Sequence, residues 1–173
     1  MEYKVVIVGD GGVGKTAMVN RIRTGNFIKQ YIATMGAEVH PIVFNTTVGT
    51  ITLKVWDTAG QDKFSGLREG CSIKSDGAIL MYDLTSRLTC KNLSFWNRGI
   101  TRVCNNIPRV VCSNKNDIPG KNMDDLDKLP YDYFITSVRS TNGMYEMFLS
   151  LIRKMVGDEN IQFLDSEPVY ENA

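Results

Sequence analysis

The sequence predicts an α/β fold with a six-stranded, mostly parallel sheet, one antiparallel edge strand and helices on both faces. Short runs of apolar and β-branched residues alternate with segments of helical periodicity, the order expected when crossover helices join parallel strands. The 173 residues, 43% hydrophobic and 23% charged, are enough for one globular domain with its own core. We expect that domain at residues 1–157 and an acidic, solvated extension at 158–173.

Five runs are predicted as inner strands, and a sixth run as the edge strand. The inner strands are Tyr3–Val8, Ile51–Trp56, Ala78–Asp83, Arg109–Ser113 and Tyr133–Thr136. Glu38–Thr46 is expected to pair antiparallel with Ile51–Trp56. The inner runs are apolar on successive residues, which fits strands that are covered on both faces.

Two segments have the apolar spacing of a helix face that packs on a sheet. One stripe consists of Met144, Met147, Phe148, Leu151, Ile152 and Met155; the other, within Thr89–Val103, consists of Leu93, Trp96, Ile100 and Val103. A methionine-rich stripe also suits a groove for a partner protein, but ordinary core is the favoured interpretation at this spacing.

Composition excludes several classes of protein. The net charge is +1, from 20 basic and 19 acidic residues, so no cationic field draws the chain to nucleic acid, which is not an expected partner. The cysteines Cys71, Cys90, Cys104 and Cys112 have no metal-binding spacing and are interpreted as reduced thiols. No apolar run reaches the roughly 18 residues of a membrane span. We expect a monomer in the cytoplasm and/or nucleus, and no secretory signal or lipidation motif predicts a membrane anchor.

The strongest functional signal lies directly after the first strand. Gly9–Thr16 reads Gly-Asp-Gly-Gly-Val-Gly-Lys-Thr and matches the phosphate-binding pattern G-x-x-x-x-G-K-[ST]. Glycines allow the backbone N–H groups to wrap closely around phosphates. Lys15 is then expected to reach the β and γ phosphates, and the Thr16 hydroxyl to bind Mg²⁺.

A second motif follows Arg109–Ser113 and predicts which base is bound. Asn114–Asp117 reads Asn-Lys-Asn-Asp, at the carboxyl edge of the sheet where open α/β folds bind their ligands. The Asp117 carboxylate is suited to accept hydrogen bonds from N1–H and the 2-amino group of guanine, which adenine does not offer. Such a quartet is weak evidence alone and strong evidence beside a phosphate loop.

A third motif, Asp57–Gln61, follows the strand Ile51–Trp56 and reads Asp-Thr-Ala-Gly-Gln. Asp57 is placed to hold Mg²⁺ through a water molecule, and Gly60 to offer its N–H to the γ phosphate. Gln61 is a neutral donor and acceptor that suits the orientation of an attacking water, so it is the predicted catalytic residue.

Together these motifs resemble the Ras-like small GTPases, and three runs are similar to the Ran branch of that superfamily. Those runs are Tyr31–Pro41, Trp56–Phe64 and Arg102–Pro108, and the resemblance extends over roughly residues 3 to 163. It implies the P-loop small GTPase fold, with GTP or GDP and Mg²⁺ as ligands. It also implies slow GTP hydrolysis, an exchange factor and a GTPase-activating protein as partners, and nuclear transport receptors as partners of the Ran branch.

The resemblance also implies roles for residues between the motifs. Thr34 corresponds to the switch I threonine that binds Mg²⁺, Phe27 packs on the guanine ring, and Lys29 and Tyr31 lie along the nucleotide. The predicted nucleotide-binding residues are Asp10, Gly11, Gly12, Val13, Gly14, Lys15, Thr16, Ala17, Phe27, Lys29, Tyr31, Thr34, Gly60, Asn114, Lys115, Asp117, Ser137, Val138 and Arg139. The predicted metal ligands are Thr16, Thr34 and Asp57.

The chain departs from the Ran branch in the loop expected beside the base. Family members have Ser-Ala-Lys where this chain has Ser137-Val138-Arg139. Two other functions remain open on the sequence: a pseudo-GTPase that binds nucleotide as an interaction module, and a P-loop kinase or ATPase. Thr16, Thr34, Asp57 and Gln61 count against the first, and Asn114–Asp117 counts against the second.

Overall fold

The computed structural model describes residues 1–60, 65–120 and 129–166. The strands are β1 (Glu2–Val8), β2 (Ala37–Thr46), β3 (Gly49–Thr58), β4 (Gly77–Asp83), β5 (Arg109–Asn114) and β6 (Asp132–Ile135). The helices are α1 (Lys15–Thr24), α2 (Ser65–Ser72), α3 (Arg87–Lys91), α4 (Leu93–Val103) and α5 (Met144–Val156). Among these residues no helix is long and apolar enough to cross a membrane.

The sheet has the predicted architecture. Its order is β2-β3-β1-β4-β5-β6, with β2 and β3 antiparallel and every other pair parallel. The predicted fold class is therefore confirmed. Because β1, β4 and β5 are parallel, their carboxyl ends meet at one edge of the sheet, which places the loops after them side by side.

Successive side chains of a strand point to opposite faces of the sheet, and each face has its own hydrophobic core. Val5 and Ile7 pack in one cluster with α1 and α5, whereas Val6 and Val8 pack in the other with α4. All four side chains are at most 1% exposed. The predicted stripe on α5 is core, since Met144, Met147, Phe148, Leu151 and Ile152 are fully buried.

The helical segment predicted at Thr89–Val103 begins earlier and is divided in two. α3 starts at Arg87, and a turn at Asn92 separates it from α4. The Asn92 side chain donates a hydrogen bond to Asp10 Oδ2 at 2.7 Å, in the loop after β1. Asparagine has low helix propensity, and this distant contact favours the turn over a continuous helix.

The structure also differs from the solvated extension predicted after residue 157. Ile161 is fully buried, and Phe163 forms a β-bridge with Thr46. The Phe163 ring stacks on Phe44 with ring centroids 4.8 Å apart. Leu164 N–H donates to the Asn45 carbonyl at 2.9 Å. Apolar residues in this acidic stretch therefore hold it against the β2–β3 turn, and residues 167–173 lie outside the described part of the chain.

Arg109 begins β5 and is only 4% exposed. Its guanidinium donates hydrogen bonds to the side chains of Asn97, Thr101 and Tyr131 and to the carbonyls of Cys104 and Asn105. Two of these acceptors are carbonyls at the end of α4, where helical carbonyls lack partners within the helix. The buried arginine thus joins the end of α4 to β5 and to Tyr131, next to β6.

Replacing this arginine should destabilise the fold. We expect Arg109→Met to lower the free energy of unfolding by about 2–4 kcal/mol, because five acceptors, among them the carbonyl of the buried Cys104, lose a charged donor. The matched control is Arg102→Met, since Arg102 is 70% exposed and pairs with Glu69 on the surface at 3.3 Å. That control should cost less than about 1 kcal/mol. Urea unfolding followed by circular dichroism measures both, and equal midpoints for the two variants would contradict the assignment.

Candidate functional site

The predicted phosphate loop lies between β1 and α1, at the carboxyl edge of the sheet. Gly9 has φ +155°, and a Cβ there would overlap the carbonyl oxygen of Met81 in β4. Gly14 has φ +109° and immediately precedes α1. Glycine is required at these points because the loop passes close to β4 and then turns sharply into the helix. The N-terminus of α1 consequently faces the space that the loop encloses.

Lys15 points into the middle of this loop. Its Nζ donates to the carbonyls of Gly9 at 2.7 Å and Asp10 at 2.8 Å, and the residue is 6% exposed. Burial lowers the pKa of Lys15 to about 8, although the nearby carboxylates of Asp57 and Asp10 oppose this shift. Phosphate oxygens next to the ammonium would favour its charged form in the same way.

The three predicted metal ligands converge beside Lys15. Thr16 Oγ1 lies 2.6 Å from Thr34 Oγ1 and donates to Asp57 Oδ2 at 2.5 Å. Asp57 is fully buried, and its other oxygen, Oδ1, has no hydrogen-bond partner. Burial raises the pKa of Asp57, while the hydrogen bond from Thr16 and the charge of Lys15 act in the opposite direction.

These oxygens fit a hard divalent cation. Mg²⁺ binds through one or two protein oxygens together with phosphates and waters, and it needs no cage of carboxylates. The described residues accordingly contain no group of three or more His, Cys, Asp or Glu side chains that could hold a metal. A buried carboxylate oxygen without a donor is costly, and a cation beside Asp57 would remove that cost.

The first two residues of the Asn114–Asp117 motif hold the phosphate loop. Asn114 Nδ2 donates to the Val13 carbonyl at 2.9 Å, and its Oδ1 accepts from the Val138 N–H at 3.1 Å. Lys115 has φ +68° and donates to the Gly12 carbonyl at 2.8 Å. Asn114 and Lys115 thus connect the end of β5 to the phosphate loop, and Asn114 also connects it to the loop after β6.

Lys115 also contacts Asp83, which is not among the predicted site residues. Its Nζ lies 2.6 Å from Asp83 Oδ2 at the end of β4. Burial of Asp83 opposes its ionisation, but hydrogen bonds from Lys115 and Thr85 outweigh burial and hold the pKa of this carboxyl below its usual value. Asp83 could have been predicted from its position, since an aspartate that ends a parallel strand lies at the ligand-binding edge of the sheet.

Asp117 is oriented by the loop after β6. The Ser137 hydroxyl donates to Asp117 Oδ1 at 2.7 Å, and Arg139 lies 3.9 Å from Asp117 Oδ2. Val138 is 3% exposed, whereas the Arg139 side chain is 60% exposed. The serine fixes the plane of the carboxylate, and the arginine is a solvated neighbour that contributes little to its position.

One cavity of about 340 Å³ joins the phosphate loop, the metal ligands Thr16 and Thr34, and Asp117. This volume lies in the range of small-molecule sites. The predicted residues that line it are Gly11, Gly12, Gly14, Lys15, Thr16, Ala17, Phe27, Lys29, Tyr31, Thr34, Gly60, Asn114, Lys115, Asp117, Val138 and Arg139. Asn20, Ile28, Gln30, Ile32 and Ile118 also line it and were not predicted. They carry no motif, and only the path of the chain brings them to the cavity.

The remaining predicted residues lie off the cavity or outside the described chain. Val13 is fully buried and contributes its carbonyl to Asn114. The Asp10 carboxylate points to Asn92 and Trp96, away from the cavity. Asp57 and Ser137 are buried beside the cavity and bind Thr16 and Asp117, which line it. Gln61, the predicted catalytic residue, lies outside the described residues.

Comparison with protein-family models agrees with this geometry. The Ras family model matches residues 4–157, a range that contains the phosphate loop, the metal ligands, the base motif, most of β1 and the other five strands. A match over so much of a 173-residue chain shows membership. The protein therefore belongs to the Ras family of GTP-binding switch proteins.

Proposed function

We propose that this protein binds GTP and GDP with Mg²⁺ in the cavity described above and hydrolyses GTP to GDP. The observation that carries the proposal is that Lys15, Thr16 and Thr34 line the same cavity as Asp117. Asp57 lies behind that lining and accepts a hydrogen bond from Thr16. Phosphate charge and a purine base need different partners, and this cavity offers both in one place.

The phosphate end supplies positive charge and oxygen ligands. Lys15 is placed to reach oxygens of the β and γ phosphates with its remaining donor, while the two loop carbonyls hold its side chain in position. Thr16, Thr34 and Asp57 would hold Mg²⁺, which offsets phosphate charge when bound. Because Thr34 belongs to the first switch segment and Gly60 begins the second, ligands here would order both segments, near Ala33–Glu38 and Gly60–Gly70.

The base end supplies specificity. The Ser137 hydroxyl already occupies Asp117 Oδ1, so the plane of the carboxylate is set for neighbouring N–H donors of a base. A purine without those donors would leave the carboxylate desolvated and unpaired. We therefore expect the site to favour guanine nucleotides over adenine nucleotides.

Hydrolysis needs an oriented water and stabilisation of the charge that develops on the phosphates. We assign the first task to Gln61, which follows Gly60 directly in the sequence. Tyr31 occupies the position, three residues before Thr34, where GTPases with an internal arginine finger have that arginine. Charge stabilisation then rests on Lys15 and the metal, and we infer slow intrinsic turnover that a partner accelerates.

The finer role that we propose is that of a Ran-like switch, with residues 1–157 as the GTP-binding domain and 158–173 as its extension. The sequence runs Tyr31–Pro41 and Arg102–Pro108 support it. The protein would act in the cytoplasm and/or nucleus with an exchange factor, a GTPase-activating protein and nuclear transport receptors. Its two states would differ in the order of the switch segments, which is what a partner senses.

Base selectivity tests the role of Asp117. The protein should bind GDP at least about tenfold more tightly than inosine diphosphate, which lacks only the 2-amino group. In Asp117→Ala both affinities should fall and their ratio should approach one. Isothermal titration at fixed Mg²⁺ measures these four constants and the affinity of the parent for ADP. An unchanged ratio in the variant, or tighter binding of ADP than GDP by the parent, would contradict the proposal.

Single-turnover hydrolysis tests the role of Gln61. We expect an intrinsic rate on the order of 10⁻³ s⁻¹ or below in the parent. Gln61→Leu should remove most of this activity while GTP affinity stays nearly intact, because an oriented water adds little to ground-state binding. A sample without Mg²⁺ is the control, because turnover in the proposed site depends on the metal. The mechanism is wrong if the variant hydrolyses as fast as the parent.

Receptor binding tests the Ran-like role separately. The protein loaded with a non-hydrolysable GTP analogue should bind a purified nuclear transport receptor at least about tenfold more tightly than the GDP-loaded protein, because only the γ phosphate distinguishes the switch states. Surface plasmon resonance with both loaded forms measures the difference. If the receptor binds both forms equally, or binds neither, the Ran-like role is wrong. The protein would then be a GTPase with the partners of another branch.

A further inference from the structure

Asp10 is the second residue of the phosphate loop, and both oxygens of its side chain are bound by residues of the α3–α4 segment. Oδ2 accepts from Asn92 Nδ2 at 2.7 Å, and Oδ1 accepts from Trp96 Nε1 at 2.7 Å. Trp96 is 2% exposed and belongs to the core on that face of the sheet. Hydrogen bonds to an ionised acceptor are stronger than neutral ones, so this is a firm connection between helix and loop.

The connection matters because Asp10 stands in a stretch of glycines. Gly9 precedes it, and Gly11 and Gly12 follow it. Glycine has no side chain to hold on to the surroundings and has the widest backbone freedom of any residue. Within Gly9–Gly12 the Asp10 carboxylate is thus the one side chain able to fix the backbone.

The peptide unit between Asp10 and Gly11 contacts two parts of the site. Its carbonyl oxygen accepts from Lys15 Nζ at 2.8 Å, and its N–H donates to the Gly60 carbonyl at 3.1 Å. A Cβ on Gly60 would overlap atoms of this same unit, so Gly60 rests directly on it. A rotation of the unit would therefore disturb the phosphate-binding lysine and the start of the second switch segment together.

We propose that Asp10 is a positioning residue, which orients the Asp10–Gly11 peptide unit from the α3–α4 side and so sets how Lys15 grips the β phosphate. This inference rests on the proposed function, because it concerns the binding of a guanosine diphosphate or triphosphate. It assigns to Asn92 and Trp96 an influence on nucleotide affinity although neither lines the cavity.

Comparison of GDP with GMP separates this role from a general loss of structure, since GMP lacks the phosphate that Lys15 reaches. With Mg²⁺ present, Asp10→Ala should raise the Kd for GDP about tenfold and leave the Kd for GMP within about twofold. Asp10→Asn should stay within about threefold of the parent for both. The oxygen of the new amide can still accept from Trp96. Its NH₂ group can donate to the side-chain oxygen of Asn92 once the Asn92 amide has rotated by half a turn.

A second set of variants approaches the same contact from the helix. Trp96→Phe keeps an aromatic ring and removes the Nε1 donor, so it should weaken GDP binding by about threefold without weakening GMP binding. Adding it to Asp10→Ala should cause no further loss, because the contact is already gone. Asp132→Ala is the matched control, since Asp132 pairs with Lys154 at the opposite edge of the sheet and should change neither Kd.

The outcomes distinguish the inference from the function on which it rests. The positioning role is overturned if Asp10→Ala weakens the binding of GMP and GDP equally. It is also overturned if the losses of GDP affinity in Asp10→Ala and Trp96→Phe add fully in the double variant. In either case GDP binding by the parent stands. If the parent itself does not prefer GDP to ADP, the proposed function fails instead. Should Asp10→Ala not fold, Trp96→Phe and Asp10→Asn still decide, because equal weakening of GDP and GMP in Trp96→Phe contradicts the proposal.

Discussion

Hydrogen bonds from Asn114 and Lys115 to the carbonyls of Val13 and Gly12 hold the phosphate loop against the end of β5. A loop rich in glycine has little preference for one shape, so its geometry depends on these external contacts. They also fix the distance between the phosphate end of the cavity and Asp117, which follows the same two residues. Since Asn114 Oδ1 accepts from the Val138 N–H as well, the loop after β6 is held in the same arrangement. One short segment therefore aligns the whole cavity.

Burial acts in opposite senses on the two charged groups at the phosphate end. It lowers the pKa of Lys15 to about 8 and raises the pKa of Asp57, so each group is harder to ionise than in water. Each also favours the ionised form of the other. Oxygen-rich anions near Lys15 and a divalent cation near Asp57 would add to that mutual effect, and a ligand that binds only the folded state stabilises it by mass action. Nucleotide binding and stability are for this reason coupled in such a site.

The fold and the motifs could be predicted because each depends on residues that are close together in the sequence. Apolar runs located the strands to within two residues, and three motifs located most of the cavity. The contacts between distant residues could not be predicted: 86 positions separate Asp10 from Trp96, and no local pattern links them. Arg109 shows a different limit, because a charged residue at the start of a strand gives no indication that helix-end carbonyls will enclose it. Similarly, the acidic charge of the stretch after Gly157 concealed the few apolar residues that decide where it packs.

That last segment has a mechanical consequence for the β2–β3 hairpin. The hairpin runs from Ala37, near the cavity, to a turn that lies roughly 30 Å away by the rise of a ten-residue strand. At the turn, Phe163 and Leu164 bind Asn45 and Thr46 and cover Phe44. A hairpin secured at its far end cannot slide along β1 unless these contacts break together with the β1–β3 ladder. A displacement that begins at residues 25–36 would therefore have to break both sets of contacts before it could change the register of β3 against β1.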